Sequence, residues 1–357
     1  MKFFLLPIIT CFIVSLLLTP IVKKLAFRIN AVDLPNNRKV HVNIMPRLGG
    51  LSICISFLVG SLLFIPSFVN IWPFLLGGII IMIIGIFDDV KGLTPQTKML
   101  GQILAALIPS FSGITIDFIT LPNGTIIEFG VMAIPITVFW IVAITNAINL
   151  IDGLDGLAAG VSCIATLTMS VLAFGLGHPI SSLMGVILLG STLGFLVFNF
   201  YPAKIFMGDT GSLFLGYMIS LLAITGLTKS AAIFSLIIPI IVLAVPIIDT
   251  TFAIIRRLIK RQPLSSPDKL HLHHSIIRLG FSHKETVIII YLLSSLFSLS
   301  AILFTKATIW GASVLIISLL ILIEFIVEIT GLISSNYRPI LNLIGGSKKN
   351  SSSNKEG

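Results

Sequence analysis

Long apolar runs dominate this chain, and the polar residues between them collect in a few short islands. Read at about 20 residues per membrane crossing, the runs fall at 3–22, 48–66, 71–87, 99–116, 131–147, 157–176, 179–198, 211–227, 231–255, 285–304 and 308–330. Only 10% of the 357 residues are charged, against about 25% in a soluble globular chain. Runs of this length exclude a spanning barrel, whose strands alternate over roughly ten residues. The expected fold is all-α: a polytopic membrane helix bundle of about eleven transmembrane helices. It forms one integral membrane domain over 1–346, followed by a polar cytoplasmic tail at 347–357 expected to be disordered. The first run is preceded only by Lys2 and followed by no A-x-A site, which reads as a retained helix rather than a cleaved signal. Asp117–Gly130 reads as a small hairpin turning at Pro122-Asn123-Gly124.

Charge sets the direction. Sixteen Lys and Arg residues lie in the connections that follow odd-numbered runs and four lie in the tail, 20 of the 23 in the chain; Lys2, Lys229 and Lys306 are the rest. The positive-inside rule then places those connections and the C-terminus in the cytoplasm and the N-terminus outside. The net charge of +9 becomes a feature of the inner membrane surface, suited to anionic headgroups and anionic substrates, with no nucleic-acid partner called for. Cys11, Cys54 and Cys163 sit singly in apolar runs, as small buried hydrophobes without metal or redox spacing.

In this orientation five polar islands share the cytoplasmic side: His41–Gly50, Phe87–Lys98, Asn146–Gly156, Asn199–Ser212 and Arg256–His274. Asp88 and Asp89 end the third run. Read blandly they are solvated loop acids, but adjacent carboxylates at a membrane boundary repel each other and invite a hard divalent cation, and Lys98 on the same loop can meet a phosphate. Asn149, Asp152 and Asp155 recur every three residues, which puts them on one face if the segment is helical; Asn146 lies a turn earlier, and Gly153 and Gly156 permit a turn or close approach. A capped helix start explains Asp155 alone. Met207-Gly208-Asp209-Thr210-Gly211-Ser212 opens the eighth run. There the helix N-terminus offers N–H groups to a phosphate and Asp209 offers an oxygen to Mg²⁺; simple capping is the competing reading. His271, His273 and His274 follow a basic stretch and suit diphosphate binding, with a solvated loop or zinc as alternatives. Asp249, inside the ninth run, shares a face with Arg256 two turns later; it is either functional or paired to a neighbouring helix. His41, Arg47 and the Gly49-Gly50 pair carry less weight.

The acid pair, NLIDGLDG, MGDTGS and HLHH, in this order and spacing from about Arg38 to His274, resemble the polyprenyl-phosphate N-acetylhexosamine-1-phosphate transferases. That superfamily includes the bacterial translocase making lipid I and the enzymes that start enterobacterial common antigen and wall teichoic acid. The resemblance implies that undecaprenyl phosphate attacks the β-phosphate of a UDP-linked amino sugar and UMP leaves, with Mg²⁺ or Mn²⁺ required. It makes Asp209 the principal metal ligand and gives Asp88 and Asp89 the lipid phosphate, one of them a possible base. It places Asn149, Asp152 and Asp155 on the nucleotide or diphosphate, and His271, His273 and His274 on the diphosphate or sugar. A lipid phosphate is mostly dianionic at neutral pH, which favours direct in-line attack over an aspartyl intermediate. HLHH after a basic stretch resembles the branch using UDP-GlcNAc; UDP-MurNAc-pentapeptide is the alternative donor, and a nucleotide-sugar or lipid transporter the alternative class. Family members are often homodimers. A multi-pass protein of the bacterial cytoplasmic membrane, with its site facing the cytoplasm and with membrane lipids as neighbours, is the expectation.

Overall fold

The computed structural model describes residues 2–33, 44–66, 71–120, 125–228, 236–263, 270–333 and 337–345. Helices account for most of it: α1 (Lys2–Arg28), α2 (Gly50–Phe64), α3 (Trp72–Lys91), α4 (Pro95–Phe111), α5 (Ala133–Leu150), α6 (Leu157–Gly175), α7 (Pro179–Asn199), α8 (Gly208–Ala223), α9 (Ile237–Val242), α10 (Ala244–Ile259), α11 (Leu272–Arg278), α12 (His283–Phe304), α13 (Ile309–Thr330) and α14 (Pro339–Gly345). Two short antiparallel ribbons complete the fold. β1 (Val32–Asp33) pairs with β2 (Met45–Pro46), and β3 (Phe118–Thr120) pairs with β4 (Ile126–Glu128), Ile119 opposite Ile127. The second ribbon is the hairpin expected over 117–130; its turn at Pro122-Asn123-Gly124, like His41, Lys269 and the tail from 347, lies outside the described residues.

The chain is a polytopic helical membrane protein. Eight helices among the described residues are long and apolar enough to cross a bilayer. The other three expected runs also became helical, but shorter. α2 has 15 residues. α4 begins earlier than its apolar run, because Pro95 at the first turn and the Thr94 side chain accepting from Thr97 N–H start a helix in polar sequence. The ninth run is divided at Leu243 into α9 and α10. Pro246 is the cause: it has no N–H for the Val242 carbonyl, and its ring crowds that carbonyl.

Burial separates centre from periphery. In the most apolar window of α8, with the π-helical turn that follows it, 94% of residues are buried, whereas in α13 the figure is 17%. α8 is therefore the axis of the bundle and α13 lies at its periphery, with Val314, Ile317 and Leu320 exposed. α8 is enclosed by α2, α3 and α5. Small residues make that closeness possible: a Cβ on Gly50 would overlap the backbone of Gly211, and one on Gly85 would overlap the backbone of Thr210. The N-terminus of α8, carrying Asp209, is thus held against the last two turns of α3.

Candidate active site

Five helix ends and the loops between them meet at one rim of the bundle, and contacts join residues from all five polar islands. Asp89 is the hinge of the arrangement. Its Oδ1 accepts the backbone N–H of Asp209 at 2.9 Å and Arg47 Nε at 3.1 Å. Its Oδ2 accepts Thr210 N–H at 3.0 Å and the Thr210 hydroxyl at 2.7 Å. The side chain is fully buried. This corrects one expectation: the first N–H groups of α8 are not free for a phosphate, because Asp89 already caps them across 120 positions of sequence. The cap also explains Gly208, whose φ of +70° and contact with Asp89 exclude a side chain.

Asp88 faces the other way. Its Oδ1 accepts Leu93 N–H at 2.6 Å, and its Oδ2 lies 2.9 Å from Lys98 Nζ. The same ammonium pairs with Asp209 Oδ2. Two carboxylates from different helices therefore converge on one cation. Asn149, on the last turn of α5, donates Nδ2 to Asp209 Oδ1 at 3.2 Å and to Ser212 Oγ at 2.8 Å, which fixes the Asp209 rotamer. Arg47 Nη2 reaches Asp209 Oδ1 at 3.8 Å. The Asp89, Asp209 and Asp88 charges more than offset the cost of burying Arg47 and raise its pKa further.

The remaining predicted residues divide. Asp152 lies in the loop between α5 and α6, partly shielded from water; burial first, then the negative charge of Asp209 and Asp89, pushes its carboxyl up to about 7. Asn146 turns away from the acids, donating to Gln102 Oε1 at 2.6 Å and to the Val142 carbonyl at 2.8 Å, so it ties α5 to α4. Asp155 also makes structural bonds. Its Oδ2 accepts Ala203 N–H at 2.9 Å, and its own N–H donates to His283 Nε2 at 3.0 Å.

The histidines of HLHH pack onto the same loop. A Cβ on Gly153 would overlap the His273 imidazole. His271 and His273 are stacked, with ring centroids 5.9 Å apart and planes at 3°, and His274 lies 4.2 Å from His273. Burial, with His274 adding to it, pushes the His273 imidazole down to about 3, so it is neutral at physiological pH. The rings lie side by side rather than converging on a point, and no cluster of three His, Cys, Asp or Glu side chains suited to a metal occurs among the described residues. Two carboxylates that share one cation do match the donor set that Mg²⁺ uses, one or two carboxylates completed by substrate phosphate oxygens. Arg47, Ser212 and Gln102 are the partners that the sequence reading gave little or no weight. For Arg47 the available signal was its place two residues before the Gly49-Gly50 pair.

A lipid-facing bundle that collects carboxylates, a lysine and a histidine cluster at one rim defines a membrane enzyme that transfers a phosphate-linked group. The sequence profile of glycosyl transferase family 4 matches residues 71–227. A protein of Bacillus subtilis (strain 168) named "Probable undecaprenyl-phosphate N-acetylglucosaminyl 1-phosphate transferase" is 50% identical over 338 residues, 93% of this chain and 94% of that protein. A decaprenyl-phosphate N-acetylglucosaminephosphotransferase of Mycolicibacterium smegmatis is 38% identical, covering 80% of this chain and 78% of its own length. A phospho-N-acetylmuramoyl-pentapeptide-transferase of Halalkalibacterium halodurans is 31% identical over 84% of this chain and 96% of its own. The chain belongs to glycosyl transferase family 4.

Proposed function

We propose that the protein transfers GlcNAc-1-phosphate from UDP-GlcNAc to undecaprenyl phosphate, giving undecaprenyl-diphospho-GlcNAc and UMP, at the cytoplasmic face of a bacterial plasma membrane. The product is the first lipid-linked intermediate of an envelope polymer such as teichoic acid. In this reading the chain crosses the bilayer eleven times, the shorter helices and the α9–α10 pair included, with its N-terminus outside. The 20 basic residues on the odd connections and tail support that orientation. The 50% identity to a GlcNAc-1-phosphate transferase over most of both chains, above the 31% to a muramoyl-pentapeptide transferase, supports the donor.

One observation carries the chemistry: Asp88 and Asp209 meet at a single ammonium. Phosphoryl transfer depends on positioning and charge neutralisation more than on covalent participation by the protein. Asp209 and Asp88 would hold a divalent cation, which when bound would supply Lewis-acid neutralisation of the diphosphate. Lys98 and Arg47 bring positive charge to the same place, Asn149 holds the Asp209 rotamer, and Asp89 fixes the backbone beneath it. Asp152 faces the nucleotide or diphosphate, and His271, His273 and His274 close the diphosphate or sugar side. The lipid phosphate is already largely dianionic, so direct in-line attack needs no strong base.

The test is UMP release from UDP-GlcNAc with undecaprenyl phosphate and Mg²⁺ in detergent. Activity should vanish with EDTA and in Asp209→Asn while insertion persists. Turnover of UDP-MurNAc-pentapeptide alone would overturn the donor. Undiminished UDP-GlcNAc movement by Asp209→Asn, without UMP formation by either protein, would favour a transporter.

A further inference from the structure

Asp249 is not among the acids gathered at Lys98 and Arg47. It lies in the middle of α10, in the ninth apolar run, with 1% of its surface exposed. A carboxylate in such a position is costly unless its oxygens are fully used. Both are, and both by the histidine segment. Asp249 Oδ2 lies 2.9 Å from His271 Nδ1, and Oδ1 accepts the backbone N–H of Leu272 at 2.7 Å. His271 is the residue before α11, with extended backbone (φ −62°, ψ 154°) and no side-chain cap of its own. One carboxylate thus grips the first turn of α11 by its backbone and the imidazole by its ring.

We infer that Asp249 is a positioning residue for His271: it fixes the imidazole in the Nδ1–H tautomer and leaves Nε2 as an acceptor for a hydroxyl or amide N–H of the UDP-sugar. A carboxylate only accepts, so the ring nitrogen facing it carries the proton. Nε2 is then a hydrogen-bond acceptor, matched to a hydroxyl or amide N–H of the sugar nucleotide rather than to a phosphate oxygen. The pair follows the logic of an orienting acid behind a histidine base, used here to aim an acceptor at the substrate. The inference rests on the transferase reading for the identity of the ligand, but not for the tautomer.

Asp249→Asn separates the roles with almost no change of shape. The Asn carbonyl must remain on Leu272 N–H, so its amide donates to Nδ1 and forces the Nε2–H tautomer. Full-length protein carrying ¹⁵N-histidine in lipid nanodiscs, with the His271→Gln spectrum identifying the His271 signals, should show a protonated Nδ1 in the unaltered chain and a bare Nδ1 in Asp249→Asn. In the UMP assay Asp249→Asn should lose about 100-fold in kcat/KM, the scale on which a misplaced positioning group matters. The double variant Asp249→Asn/His271→Gln should be no worse than His271→Gln, because the two act as a unit. Asp249→Ala, which frees the ring, should fall between unaltered and His271→Gln. An unchanged tautomer in Asp249→Asn overturns the inference, and so do losses that multiply in the double variant. An unaltered protein inactive on UDP-GlcNAc would instead sink the transferase reading, while the spectra would still decide the tautomer.

Discussion

Asp89 holds the backbone of Asp209, and the two carboxylates do not share one task. Both oxygens of Asp89 are occupied by the first turn of α8 and by Arg47, whereas Asp209 Oδ2 and Asp88 Oδ2 converge on Lys98. The acid pair at the end of α3 is therefore split between a residue that builds the site and one that faces its contents.

Replacing each acid should separate stability from activity. Asp89→Asn puts an amide donor among four donors. It should cost about 2 kcal/mol, the range for hydrogen bonds to a charged group, and lower the unfolding temperature in detergent while also abolishing UMP release. Asp88→Asn should lose activity by at least about 100-fold, the scale on which one electrostatic group matters, with little change in unfolding temperature. Equal thermal effects from the two variants would refute the division.

The legibility of this division in the sequence was partial. Apolar run length gave the helices, and the islands gave Asp88, Lys98, Asn149 and Asp209, since each is a chemically expensive residue at a membrane boundary. The roles of Asp89 and Asp155 depend on which backbone N–H arrives from 120 or 48 positions away, and no local pattern encodes that. Arg47 carries little local signal for the same reason: its partners Asp89 and Asp209 are tertiary neighbours. The Asp249 pair was foreseeable only as an expensive acid needing a partner. The division of the ninth run, by contrast, was written in Pro246.

Lys98 sits where the two carboxylates require positive charge, and its removal should expose that requirement without any assay of turnover. In EDTA, Lys98→Ala should unfold a few degrees below the unaltered protein, because Asp88 and Asp209 repel each other with nothing between them. Millimolar MgCl₂ should recover most of that difference and stabilise the variant more than the unaltered chain, by mass action on the folded state. Equal shifts in both proteins would mean the cation binds elsewhere.

Gly85 should tolerate no side chain. Its Cβ would strike the Cα and N of Thr210, backbone atoms that cannot rotate aside, and α3 would have to part from α8 at the active-site end. Gly85→Ala should cost about 3 kcal/mol or more, the upper range for overpacking, and remove activity. Gly175, at the end of α6, has open space around its Cβ position; Gly175→Ala should be neutral or gain up to about 1 kcal/mol. Thermal unfolding of the two variants side by side is the measurement, and a stable Gly85→Ala would show that the helices are less closely apposed than described.

His273 predicts an acid dependence of stability with a definite sign. Its imidazole is pushed to about 3 in the folded chain, by burial and then by His274, while an unfolded histidine titrates near 6.5. Below about 6.5 the unfolded chain binds a proton that the folded chain refuses, so this residue costs stability as pH falls from about 6.5 towards 3. The slope reaches at most about 1.4 kcal/mol per pH unit. Above pH 7 both states are neutral and the contribution is flat. His273→Gln, which keeps a polar group against Gly153, should therefore lose less unfolding temperature than the unaltered protein between pH 7 and pH 5, and the two should run parallel between pH 7 and pH 8.5. Parallel behaviour down to pH 5 would mean that His273 takes up its proton in the folded state, and that the ring is wetter than its packing on Gly153 implies.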